Sequence, residues 1–137
     1  MAKDKFHEIV RQILENDGWT ITADPYRLKF GTKKIEIDLS AEKLIAAEKG
    51  PEKIVVEVKS FLSDSAFYEF HEAVGQFSNY RRILRLKHDE HQLILAIPQD
   101  AFDVIFNDEF GLLTIEEEEL KMLIFHPLKK QLVKWIK

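Results

Sequence analysis

With 137 residues, 45% of them hydrophobic and ten of them Phe, the chain has apolar mass for one core and too little for two, so a single domain over residues 1–137 is expected. A net charge of −4 argues against a protein that grips nucleic acid by bulk positive charge, and zero cysteines exclude disulfides, thiolate metal sites and thiol nucleophiles. No apolar run reaches bilayer length and no cleavable signal pattern is present, which predicts a cytoplasmic protein with no membrane partner.

Phe6, Ile9, Val10, Ile13 and Leu14 recur at helical spacing, with Asp4 as an N-cap and Asp17-Gly18 as a stop. Trp19–Ala23 reads as a strand, Asp24-Pro25 as a turn, and Tyr26–Phe30 as a second strand closed by Gly31-Thr32. In Ile35-Glu36-Ile37-Asp38-Leu39 the alternation predicts one strand with Asp38 on the face opposite the three aliphatic residues. Residues 41–49 fit a short helix or a hairpin arm turning at Gly50-Pro51, and the arm is the preferred reading. Ile54–Lys59 is a strand. From Ser63 to about Leu86 the pattern predicts a long helix capped by Ser63 or Asp64, with Phe67, Phe70, Val74, Phe77 and Ile83 at helical spacing. Leu93–Pro98 is a fully apolar strand, Asp100 caps a short helix to about Phe106, and the acidic run Glu116–Glu119 begins a turn or solvated segment. Met122–His126 is a last strand and Leu128–Ile136 a terminal helix. This order predicts an α/β domain in which a central mixed β-sheet is flanked by helices on both faces.

Within that frame, Ile54-Val55-Val56-Glu57-Val58-Lys59 is the stretch with the most chemistry. Side chains alternate along a strand, so Glu57 and Lys59 share a face, roughly 7 Å apart along the backbone. Two carboxylates, Asp38 and Glu57, suit a hard divalent cation such as Mg²⁺ or Mn²⁺, and an ammonium from Lys59 offsets charge that builds on a phosphoryl group. Exposed Glu-x-Lys pairs on strands are common, and the apolar flanks set this one apart. The order Asp, then Glu-x-Lys, resembles the active-site motif of the PD-(D/E)xK nuclease superfamily, which implies a restriction-endonuclease-like fold and a catalytic role for all three residues.

On the long helix, Gln76 and Tyr80 lie four apart on one face. In nucleases that resemble RecB, a Gln-x-x-x-Tyr pair on the helix after the Glu-x-Lys strand braces the site and contacts DNA. That resemblance implies a catalytic place for Gln76 and an auxiliary one for Tyr80. Arg81, Arg82 and Arg85 follow at once and are candidate phosphate contacts, although a charge run is as often a solvated helix face. Glu8 on the first helix is an auxiliary candidate, since an acid there completes the metal site in several members of the superfamily; as a residue off the apolar stripe it also reads as simply solvated. Phe61, Phe67 and Tyr68, three aromatics at a strand-to-helix junction, are candidates for partner binding, with core burial as the commoner fate of such residues. The five histidines have no zinc-site spacing.

A narrower resemblance covers almost the whole chain. Phe6-His7, Asp17-Gly18-Trp19-Thr20-Ile21-Thr22, Asp38-Leu39, Ala46-Ala47-Glu48-Lys49-Gly50, Val56-Glu57-Val58-Lys59-Ser60-Phe61, Ala73-Val74-Gly75-Gln76-Phe77 and Trp135-Ile136 are together similar to the XisH family. That family is named for controlling excision of the fdxN element in cyanobacteria. The resemblance implies a role in site-specific DNA rearrangement beside a separate recombinase and an XisI-like companion protein, with DNA engaged directly or through a complex and a homodimer left open. The readings that follow are a metal-dependent DNA endonuclease, a nuclease restrained by the companion, or a catalytically silent module that binds the companion or DNA.

Overall fold

The computed structural model describes residues 3–46, 49–62 and 64–137. Helix α1 (His7–Asn16) leads into β1 (Thr20–Ala23), the hairpin β2 (Tyr26–Phe30) and β3 (Lys33–Ile37), then β4 (Leu39–Ala46) and β5 (Gly50–Val58). Helix α2 (Ala66–Leu86) precedes β6 (Gln92–Pro98), and the short α3 (Gln99–Ala101) runs on as a π-helical turn at Phe102–Phe106. Helix α4 (Glu109–Glu117), β7 (Met122–His126) and β8 (Gln131–Ile136) complete the chain. Six strands form one mixed sheet in the order β1-β4-β5-β6-β7-β8, and β2 and β3 form a separate two-stranded sheet. Only β5, β6 and β7 run parallel; the outer pairs are antiparallel.

Helices cover both faces of the sheet, as its central strands require. Ile54, Val56 and Val58 of β5 point toward Val10, Ile13 and Leu14 of α1, while Val55 points the other way, toward Phe70, Ala73 and Phe77 of α2 and Phe106 of the π-turn. A strand apolar on both sides is what a buried parallel strand demands. Alternation puts Glu57 and Lys59 on the Val55 side, beneath α2.

Several expectations change. The segment predicted as a terminal helix is β8: from Gln131 to Ile136 it pairs antiparallel with β7, whose Met122–Phe125 run is fully buried and would otherwise be an open apolar edge. Leu132 and Trp135 reach the α1 face, where Trp135 meets Trp19 at 5.9 Å, and Ile136 reaches the other. Sheet closure outweighs the helical reading of that segment. Helix α4 was not foreseen; its N-cap is Asp108, which accepts a hydrogen bond from Gly111 N–H at 2.7 Å. Asp100 does not cap the short helix, which starts one residue earlier at Gln99 after Pro98. Helix α2 starts at Ala66 with Ser65 at the cap position, so Asp64 is not the cap, and Ser63 lies outside the described residues. Residues 41–46 do form a strand arm, but Gly50-Pro51 already belongs to β5.

The most consequential change is at Asp38. Ile35 and Ile37 pack on the α2 side while Leu39 packs on the α1 side, so the three aliphatic residues do not share a face. The chain leaves the small sheet after Ile37, bends at Asp38, and enters the large sheet at Leu39.

Candidate functional site

That bend builds the site. Leu39 of β4 pairs with Val56 of β5, and the chain has already turned away before it can pair with Val58. The Asp38 carboxylate fills the gap: Val58 N–H donates to its Oδ2 at 2.8 Å, and Asp38 N–H donates to Glu57 Oε1 at 3.3 Å. Lys59 Nζ lies 3.7 Å from Glu57 Oε2. The structure therefore brings Asp38, Glu57 and Lys59 together, with side chains 22%, 12% and 25% exposed.

Electrostatics set Glu57 apart. Burial is the largest influence on it, the Asp38 charge adds to that, and Lys59 offsets only part, so its pKa is pushed up to about 8. From α2, Gln76 Nε2–H donates to Tyr80 Oη at 2.9 Å. The Tyr80 hydroxyl is also pushed up, first by burial and then by the charges of Glu57 and Asp38, which places it within electrostatic reach of the pair.

Two residues not singled out from the sequence complete the centre. His7, 2% exposed, has its Nε2 2.7 Å from Asp24 Oδ1, and Arg11 donates to Asp24 Oδ2 at 2.6 Å. Burial alone would raise the Asp24 pKa, but Arg11 and His7 hold it below the usual value. Asp24 is thus an ionised acceptor that holds both the Arg11 guanidinium and His7 Nε2, which turns the other ring nitrogen, Nδ1, toward Asp38. That Nδ1 has no hydrogen-bond partner and faces Asp38 Oδ1 at 3.9 Å. The only sequence signal was position: His7 lies three residues before Val10, on the buried stripe of α1.

The other candidates fall differently. Glu8 is exposed and pairs with Lys3 at 3.3 Å. Its carboxylate lies within 4.8 Å of ligand atoms of His7 and Asp24, but Arg11 and Lys3 already supply positive charge there. Arg81 donates to the carbonyls of Glu118 and Glu119 and lies over the Phe77 ring, so it ties α2 to the end of α4. Arg82 is exposed and bonded to Asn79. Arg85 borders a hollow with Gln92 and Lys121 at the start of β6, whereas Lys59 pairs with Ala96 near its end. Phe61 is half-buried with its ring edge on Phe106, while Phe67 and Tyr68 are exposed.

Carboxylates are the ligand type a hard divalent cation takes, although among the described residues the group of three whose ligand atoms lie within 4.8 Å of one another is His7, Glu8 and Asp24 rather than Asp38, Glu57 and His7. Asp38 and Glu57 cannot both ionise comfortably without positive charge between them, and among the described residues the buried His7 Nδ1 has no hydrogen-bond partner. A histidine whose other nitrogen is fixed by a carboxylate is the usual preparation of a metal-binding imidazole.

Fold and site together define an α/β protein in which a hollow lined by His7, Asp24, Arg27, Glu36 and Asp38 lies where a small hairpin meets a larger mixed sheet. The chain belongs to the XisH family, whose model, described as XisH protein, matches residues 1–133. It is similar to an XisH family protein from Nostoc punctiforme PCC 73102, at 41% identity over 98% of this chain and 100% of that one, with a TM-score of 0.87. It is also similar to a fdxN element excision controlling factor protein from Anabaena variabilis, at 39% identity with the same coverage and TM-score. No curated protein sequence matches it. Among the described residues, no helix is long and apolar enough to cross a membrane.

Proposed function

We propose that this chain is a restriction-endonuclease-like excision controlling factor that keeps a working phosphodiesterase site. Asp38 and Glu57 would hold the divalent cation, with His7 Nδ1 as a third donor. The observation that carries this reading is Glu57 itself: a carboxyl buried against a second carboxyl, with its pKa near 8, in a fold that offers it only one lysine. A nitrogen donor beside two carboxylates favours Mn²⁺ over Mg²⁺, which is held mainly by oxygen. A cation bound there would polarise a phosphoryl oxygen and supply an acidified water. Lys59 is placed to offset charge on the phosphate, and Gln76 orients Tyr80 along the wall of the cleft.

The substrate path runs along the hairpin. A groove of about 480 Å³ lies between β2–β3 and Tyr80, with Lys29 and Lys34 in its wall beside Arg27, whose charge is paired with Glu36 at 2.9 Å. Lys29 and Lys34 are directly paired across the hairpin, a like-charge arrangement that costs stability and that a phosphate backbone would relieve. Arg82 and Arg85 remain as secondary contacts.

The test is cleavage of supercoiled, linear duplex and single-stranded DNA with Mn²⁺ or Mg²⁺. Nicking by the wild type, greater with Mn²⁺, should fall at least about 100-fold in Glu57→Gln and Lys59→Met, while Lys59→Met still binds the cation. Wild-type protein that binds cation but cuts none of these would refute the catalytic claim. It would leave the reading of a silent protein-binding module, which the acidic helices described next favour.

A further inference from the structure

The helices over the α2 face carry an excess of acids and exposed apolar surface outside the Asp38–Glu57 site, although Asp108 caps α4 and Glu118 pairs with Arg81. Residues 60–80 and 98–120 contain three and eight acids and not one Lys or Arg. Together they carry −11 in a chain whose total is −4, so the rest of the molecule carries +7. On this acidic side, Phe67 is 63% exposed, Phe110 57% and Val104 74%. Phe67 and Phe110 are in ring contact at 6.4 Å, so the exposure is a patch rather than scattered residues. Beside it a cavity of about 240 Å³ opens between the start of α2 and the π-turn, lined by Phe61, Leu62, Ala66, Val104 and Ile105, with Asp100 at its rim. Gly111 of α4 lies so close to the Phe106 backbone that a side chain there would clash.

Charge decides what this face can meet. Arg81 pairs with Glu118 at 4.0 Å, but the acids of these two segments outnumber that one cation, and the excess repels a nucleic acid or an anionic lipid surface. A second copy docked through the same face about a two-fold axis would set acids against acids, a repulsion that disfavours it. We infer that the face docks a partner protein segment that places an apolar side chain in the Phe61–Ile105 cavity and rings it with lysines or arginines. The apolar anchor supplies the affinity, and the acids supply steering and selectivity. The inference stands apart from the nuclease reading, because none of these residues belongs to the Asp38–Glu57 cleft.

The test uses the full chain and two labelled 18-residue amphipathic helical peptides, one alternating Leu stripes with Lys and its twin carrying Glu in place of Lys. By fluorescence anisotropy at low salt, the Lys peptide should bind and the Glu twin should not. The double variant Phe67→Ser/Val104→Ser keeps every acid, and it should lose at least tenfold in affinity. The hairpin variant Lys29→Gln/Lys34→Gln should bind as the wild type does. In the wild type, the Lys peptide should slow hydrogen exchange in the first turns of α2 and in the π-turn, a readout independent of how the variants fold. Equal binding by the wild type and the Phe67/Val104 variant overturns the proposal, as does protection confined to other elements. So does a wild-type dimer that Phe67→Ser dissociates, since the occupant would then be a second copy.

Discussion

Asp89 and Glu57 are both drawn out of water by the same sheet, and they respond in opposite directions. Asp89, in the turn between α2 and β6, accepts from Tyr26 Oη at 2.6 Å, from His91 N–H at 2.8 Å, and lies 2.7 Å from His91 Nδ1. Burial works to raise its pKa, yet these partners hold it below the usual value, and the Tyr26 hydroxyl is in turn pushed up to about 12, by burial first and then by Asp89. Glu57 meets burial with another carboxylate beside it and only Lys59 against it, and its pKa rises to about 8. The lesson is one of satisfaction. Where a carboxylate serves the fold, as Asp89 does in clamping the hairpin to the body, the protein supplies every donor. At Asp38 and Glu57, Lys59 offsets only part of the penalty, and among the described residues His7 Nδ1 has no hydrogen-bond partner.

Substitution should separate the two regions by sign. Asp89→Ala removes the acceptor of three contacts and leaves the Tyr26 hydroxyl part-buried without it, so urea unfolding should show a loss of about 2–4 kcal/mol. Glu57→Gln keeps shape, still accepts from Asp38 N–H, and replaces a repelled acid with an amide that donates to the neighbouring carboxylate. Without metal it should gain about 1–2 kcal/mol at pH 8. A loss of stability in Glu57→Gln would mean that the carboxyl is structural after all.

The pH dependence should differ in the same sense. Glu57 titrates near 8 in the fold against an ordinary value of 4.5, so the native state holds a proton that the unfolded chain gives up between those values. Its contribution is fully present below about pH 4.5 and falls as the pH rises toward 8. Asp89 behaves in reverse: its lowered pKa contributes stability above the ordinary value of 3.8 that is lost as the solution is acidified. Chemical denaturation of metal-free protein should show the decline between pH 5 and 8 in the wild type and a flatter profile in Glu57→Gln. Added Mn²⁺ should flatten it in the wild type only.

The smallest effect is expected on the hairpin. Lys29→Gln should stabilise the protein by about 0.2–1 kcal/mol through relief of the cross-strand repulsion with Lys34, and should reduce the salt slope of DNA binding by about one unit. An unchanged slope would move the path away from this groove.

How legible all this was in the sequence depended on how local each signal is. Glu57 and Lys59 share a face because β5 is paired on both sides and alternation holds to its end; periodicity alone could find them. Asp38 converges with them for a different reason from the one its pattern suggested, since Ile37 and Leu39 face opposite sides and the side chain reaches the β5 backbone across a strand break. His7 sat among Phe6, Ile9 and Val10 as one more buried residue; only the tertiary approach of Asp24 and Asp38 gives its two nitrogens different fates. β8 was misread because Leu132, Trp135 and Ile136 fit a helical stripe as well as a strand, and its partner β7 decides between them.

The most direct measurement is an anomalous difference map from crystals grown or soaked with Mn²⁺, recorded on the wild type and on Asp38→Asn. One strong peak is expected among the Asp38 and Glu57 carboxylates and His7 Nδ1, and it should be lost in Asp38→Asn. A wild-type map empty at that position, or a peak there that survives Asp38→Asn, would contradict it.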